Sequence, residues 1–132
     1  MNLNQVTLPA NDVQISIDFY QSLGFKIIVD AAPNYARFEC PGSESTFSLH
    51  HSNASRNLNH GAVVYFECTD LDFAVQQLQS RGINFDQMPK DQPWLWREAR
   101  LLDPSKNELC LYSAGSNRKN PPWRIQEPRL LI

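Results

Sequence analysis

The side chains in this sequence that could do chemistry are few and widely spaced. Cys110 sits in the middle of Glu108-Leu109-Cys110-Leu111-Tyr112, which alternates like a half-buried strand. That alternation sends Leu109 and Leu111 to a core, and Cys110 and Tyr112 to the other face. A thiol there becomes a nucleophile only beside a base or a positive group that favours the thiolate. Otherwise it is a small packed side chain. His50 is a candidate catalytic acid or base, because a free imidazole titrates at about 6.5. Arg37 and Arg100 could grip an anionic or carbonyl-bearing ligand through paired N–H donors. Each also has a carboxylate two residues away, Glu39 and Glu98, with which it could pair instead.

Period two along every strand-like stretch gathers these residues on one face. The first half of the chain would present Gln5, Thr7, Tyr35, Arg37, Ser48 and His50. The second half would add Val63, Tyr65, Glu67, Glu98, Arg100, Cys110 and Tyr112, with Trp96 at the lip. The opposite parity, including Val6, Leu8, Phe38, Phe47, Leu49, Phe66 and Leu109, is almost wholly apolar. One face is therefore a core face and the other mixes aromatic rings with polar groups, the composition of a small-molecule pocket. In "DQPWLWREA" an extended backbone would point Trp94 and Trp96 the same way.

The elements that must carry this face repeat. "DVQISIDFYQSLGF" from Asp12 and "DLDFAVQQLQSRGI" from Asp70 align without a gap at an offset of 58 residues. Ile17 falls on Val75, Tyr20 on Leu78 and Gly24 on Gly82, and the upstream strand residues Val6 and Leu8 fall on Val64 and Phe66. Each half reads strand, helix and three strands. Asn11 or Asp12 caps the first helix and Gly24 ends it. In the second half the strands are expected at 62–68, 83–87, 96–102 and 108–112. Module one is 1–52, the linker 53–60, module two 61–113 and the tail 114–132, all within one domain. The fold class is α+β: tandem βαβββ modules whose curved mixed sheet surrounds a concave pocket, with the helices on the outer face.

The 132 residues suffice for one real core, and 42% hydrophobic with 20% charged residues is a globular balance. A net charge of −2 without a Lys/Arg block gives no footprint for nucleic acid. No apolar run approaches the length that spans a membrane, and the opening MNLNQVTLPAND does not read as a signal peptide. Cys40, Cys68 and Cys110, odd in number and widely spaced, read as reduced thiols of a cytoplasmic protein.

The segments "VTLPANDVQISIDFYQSLGF", "VVYFECTDLDFAVQQLQSRGI" and "REARLLDPSKNELCLY" resemble the vicinal oxygen chelate superfamily, which holds glyoxalase I, extradiol dioxygenases and bleomycin-resistance proteins. The Asp103-Pro104 turn before Asn107 looks like that family's "DPxGN" motif, with Lys106 where glycine is usual. The resemblance covers roughly residues 3–113. It implies four metal ligands in the metal-dependent members, at positions that here hold Gln5, Ser48, Val63 and Cys110. Valine donates nothing, Ser and Gln are weak neutral donors, and a thiolate selects softer ions. No cofactor is expected and a divalent metal is not favoured, although His50, Glu67 and Glu98 could form a relocated set.

Three functions follow as expectations. The first is metal-free binding of a small organic molecule. The second is a metal-dependent lyase, isomerase or dioxygenase with displaced ligands. The third is a metal-free enzyme using His50 as acid or base. The expected partners are a small-molecule ligand and a second copy of the chain. In the tail, Trp123, Ile125 and 130–132 are costly to leave in water and are expected to pack on the body or on that second copy.

Overall fold

The computed structural model of the chain describes residues 1–53 and 61–125. Module one runs β1 (Gln5–Ala10), α1 (Val13–Ser22), β2 (Lys26–Ala31), β3 (Tyr35–Glu39) and β4 (Thr46–His51). Module two repeats it with β5 (Val63–Glu67), α2 (Leu71–Ser80), β6 (Gln87–Asp91), β7 (Arg97–Leu102) and β8 (Glu108–Ser113). Both helices start at the aligned aspartates. Asp12 accepts from the amide of Ile15 at 3.0 Å and Asp70 from that of Phe73 at 3.1 Å, each satisfying an orphan donor of the first turn. Both stop just before a glycine, Gly24 at φ 102° and Gly82 at φ 88°, where a side chain would be strained.

Each module folds a four-stranded mixed sheet, in the order β1-β4-β3-β2 and β5-β8-β7-β6. In both, the first strand pairs parallel with the last and the others are antiparallel. The α+β class and the βαβββ repeat are thus as the sequence pattern predicts. The alternating apolar set (Leu8, Phe38, Phe47, Leu49, Leu101, Leu109, Leu111) is buried, together with Ile17 and Tyr20 of α1 and Val75 and Leu78 of α2. These residues form one continuous core cluster across both modules.

The modules join on that apolar side, at one turn, and through Arg81, which donates to the Ser22 carbonyl at 2.9 Å. Phe66 of β5 packs against Phe25 and Phe47 of module one, with ring centroids 4.8 and 5.7 Å apart. The Asp103–Asn107 turn then ties module two to module one. Asp103 accepts from the Tyr20 hydroxyl at 2.7 Å, Asn107 donates to the Pro9 carbonyl at 2.9 Å, and the Asn11 amide donates to Ser105. Lys106, in the glycine position of the motif, adopts φ 67°.

Two expectations in module two need correction. The strand expected at 83–87 lies instead at Gln87–Asp91 and contains Pro89. An edge strand tolerates proline because only one of its sides bonds to a neighbour, and β6 pairs with β7 alone, across a register shift. Ile83 and Phe85 serve as partly buried core contacts rather than ladder residues. The residues before β7 are not extended either: Leu95 has φ 69°, and its amide closes a turn onto the Gln92 carbonyl at 2.9 Å. Most of the linker and residues 126–132 lie outside the described residues, and the described part of the tail holds a 3₁₀ turn at Gly115–Arg118.

Candidate functional site

Strand register decides which side chains share a row on the face away from the helices. In module one, one row reads Thr7, Ser48, Arg37 and the next Pro9, His50, Tyr35. In module two the matching rows read Tyr65, Cys110, Arg100 and Glu67, Tyr112, Glu98. The two modules therefore carry an arginine at the same place and differ in almost everything beside it.

Module one builds a hydrogen-bond chain. The Gln5 amide donates to the Ser48 hydroxyl at 2.7 Å, and Thr46 bonds to the other end of the same amide. Ser48, fully buried, shares a 2.6 Å hydrogen bond with the Tyr35 hydroxyl, and Arg37 Nε donates to that oxygen at 2.9 Å. Ser48 first, and then Arg37, hold the Tyr35 phenol below its ordinary pKa, because both stabilise the phenolate. Thr7 reaches the same chain through Gln5 at 3.5 Å. His50 is exposed at the end of the face.

Module two builds an aromatic wall over a buried charge pair. Trp96 stacks on Tyr112 with centroids 4.6 Å apart and 17° between planes. Tyr65 meets both edge-on, at 5.9 and 5.7 Å. Glu98, 1% exposed, accepts from Trp94 Nε1 at 2.8 Å and from Arg100 at 3.1 Å. Arg100 also donates to the Tyr65 hydroxyl and lies over that ring. Burial alone pulls the Arg100 pKa down, but the bond to Glu98 leaves it raised. The Leu95 turn is what lays Trp94 onto Glu98. Trp94 and Trp96 thus reach this cluster by different routes and not as neighbours on one extended strand.

Cys110 is buried beneath this wall. Burial first, and the Glu98 carboxylate next, push its thiol up to about 12, which rules against a thiolate nucleophile at neutral pH. Burial likewise raises the Tyr112 hydroxyl, with Glu67 adding to the effect.

The four positions at which the resemblance implies metal ligands fit no metal. The Gln5 amide is spent on Ser48 and Thr46, Val63 has no donor, and Cys110 holds its proton. The relocated set does not converge: Glu98 is bound by Trp94 and Arg100. No group of three His, Cys, Asp or Glu side chains able to hold an ion occurs among the described residues.

The structure thus gathers the predicted residues into two clusters. Among the described residues no hydrogen bond, ion pair or ring contact joins Gln5, Ser48, Tyr35 and Arg37 to Tyr65, Trp96, Glu98, Arg100 and Tyr112. An open cleft of about 1090 Å³ runs between the modules, lined by Phe25, Phe47, Val64, Phe66 and Leu78 as well as Gln5, Tyr65 and Glu67, and it touches neither Trp96 nor Arg37. A smaller one of about 330 Å³ lies against Gln87, Trp94, Glu98 and Arg100. Trp94 and Gln87, which donates to the Glu98 carbonyl at 3.1 Å, belong to the site and were not in the parity list. Period two in an extended backbone places Trp94 beside Trp96, but the left-handed Leu95 brings it to Glu98 by another route, and Gln87 falls at the end of a stretch that is not a strand.

The fold and the repeat have close counterparts. A glyoxalase/bleomycin resistance protein/dioxygenase from Nocardioides superimposes with a TM-score of 0.75 at 22% identity, covering 95% of this chain and 89% of that one. A bleomycin-binding protein complexed with bleomycin does so with a TM-score of 0.70 at 22% identity, over 86% and 98% of the two chains. Lactoylglutathione lyase from Agrobacterium tumefaciens gives 0.69 at 16% identity, over 85% and 92%. At these identities the likeness is one of fold. No curated protein matches the sequence significantly. The family model for the Glyoxalase/Bleomycin resistance protein/Dioxygenase superfamily matches residues 2–111, most of the chain. With module one and nearly all of module two inside that match, the chain belongs to this superfamily.

Proposed function

We propose that this chain binds a small organic molecule, without a metal ion, against the helix-free faces of its sheets. The observation that carries the reading is the wall of Tyr65, Trp96 and Tyr112 over the Glu98–Arg100 pair. Flat rings held edge and face to one another give a planar ligand apolar area, and a fixed ion pair beside them supplies directional polar contacts. The bleomycin complex of a structural relative supports the same use of the fold. The donor chemistry at the implied ligand positions argues against a metal-dependent lyase or dioxygenase.

The ligand-bound form is a homodimer. Trp94, Leu95, Trp123 and Ile125 are all exposed on the single chain, at 44%, 48%, 58% and 78%. This much exposed apolar surface favours a symmetric contact. Among the described residues no helix is long and apolar enough to cross a membrane. Three free thiols fit a reducing compartment, so the cytoplasm is the proposed location.

A second reading, metal-free acid–base catalysis, is favoured by one observation, the lowered pKa of Tyr35. His50, directly opposite Tyr35 in the same row, is its candidate partner.

Crystals of chelator-treated protein soaked with a library of small aromatic and heteroaromatic compounds test the binding reading. Density is expected against Tyr65 and Trp96. Compounds that settle only elsewhere, or only after zinc or nickel is added, would contradict it.

A further inference from the structure

The matching rows of the two modules place Arg37 and Arg100 at equivalent positions, each opposite the residue at the centre of its sheet, Ser48 or Cys110. What stands next to each arginine differs. The position that holds Glu98 in module two holds Tyr35 in module one, since these pair with Tyr112 and His50 in turn. Arg100 is therefore neutralised by a buried carboxylate, while Arg37 has a neutral phenol in its place.

The alternative partner for Arg37 does not reach it. Glu39 pairs with Thr46 and Lys26 one row away, and among the described residues the only ion pairs of arginine are those of Arg97 and Arg100. Arg37 is also not loose. Its Nε is held by the Tyr35 hydroxyl at 2.9 Å and its guanidinium lies 5.5 Å from that ring centroid. Tyr35 is fixed in turn by Ser48, which is fully buried and held by Gln5. With Nε committed, the two terminal nitrogens form the fork that grips two oxygens of one oxyanion.

From this asymmetry we infer that Arg37 and Tyr35 form a subsite for the oxyanion of a small organic ligand, a carboxylate or a phosphate monoester. The inference rests on the binding reading above and names the ligand's chemical class. The phenol can donate to the same anion, so the subsite offers one fixed positive charge and one hydroxyl.

The test uses the full chain labelled with ¹⁵N and follows Arg37 Nε–H, Arg100 Nε–H and Trp96 indole N–H during titration. The probes are benzoate, phenyl phosphate and benzamide, which share a ring and differ in charge. Benzoate or phenyl phosphate, whichever fits, should shift Arg37 saturably, with Arg100 nearly still. Arg37→Gln should weaken that anion about tenfold or more, the usual cost of losing a charged hydrogen bond, and Tyr35→Phe should weaken it less. Benzamide should leave Arg37 unmoved. If benzamide and both anions move Trp96 alike and none moves Arg37, the anion subsite is wrong and the binding reading survives. If no probe moves Trp96 or Arg37, both fall.

Discussion

The hydroxyl of Tyr20, at the buried end of α1 in module one, donates to Asp103 in the turn before β8, at 2.7 Å. Asp103 accepts in addition from the amides of Ser105 and Asn107 and from the Asn107 side chain. One carboxylate thus fixes a turn and clamps the two modules together. Burial first, and then the Asp103 charge, push the Tyr20 pKa well above its usual value.

Tyr20→Phe should therefore lower stability by about 1.5–3 kcal/mol, the range for a hydrogen bond to a charged group. Asp103→Ala should cost more, because it strands the buried Tyr20 hydroxyl and two turn amides as well. Urea unfolding of the three proteins measures this. Equal midpoints for wild type and Tyr20→Phe would mean the clamp contributes nothing.

Alkaline instability follows from Tyr20 together with the buried thiol of Cys110. Unfolding returns Tyr20 and Cys110 to ordinary values of 10.0 and 9.0, whereas the folded chain holds Cys110 at about 12 and Tyr20 also higher. Above the unfolded values the folded state retains protons that the unfolded state has lost, so stability falls as pH rises. The loss from Cys110 begins near pH 9 and ends near 12; that from Tyr20 starts near 10. Denaturant midpoints should be level from about pH 7 to 8.5 and clearly lower by about pH 10.5. Cys110→Ala should reduce that drop. A midpoint unchanged up to about pH 10.5 would show that neither group holds its proton by burial.

Sedimentation equilibrium should give twice the 15.1 kDa chain mass, and a chain ending at Ser113 should associate more weakly, since it lacks Trp123 and Ile125. Monomer mass at high concentration would rule out the dimer. A truncated chain that dimerises as tightly as the full one would take the tail out of the interface.

The repeat was legible because its signals are local: two capping aspartates, two helix-ending glycines and apolar alternation in β1, β4 and β8. The core face followed from the same alternation. β6 was not legible, because an edge strand bearing proline and lysine has no buried face to impose a period. The fates of the two arginines were equally hidden. Glu39 follows Arg37 by two residues and Glu98 precedes Arg100 by two, so the sequence treats them alike. Only the three-dimensional turn at Leu95, which brings Trp94 over Glu98, makes one carboxylate a buried partner. That turn depends on a left-handed leucine, which no pattern of residue types announces.

The central claim is metal-free binding at the aromatic wall, and one titration tests it most directly. A compound found to bind is titrated into chelator-treated protein while the Trp96 indole N–H is followed, with and without one equivalent of zinc, in wild type and in Trp96→Ala. The account predicts saturable movement of the Trp96 signal, the same dissociation constant with and without zinc, and a loss of about tenfold or more in affinity in Trp96→Ala, in keeping with an aromatic anchor at the centre of a site. Binding that needs the metal, or that Trp96→Ala leaves unchanged, would contradict it.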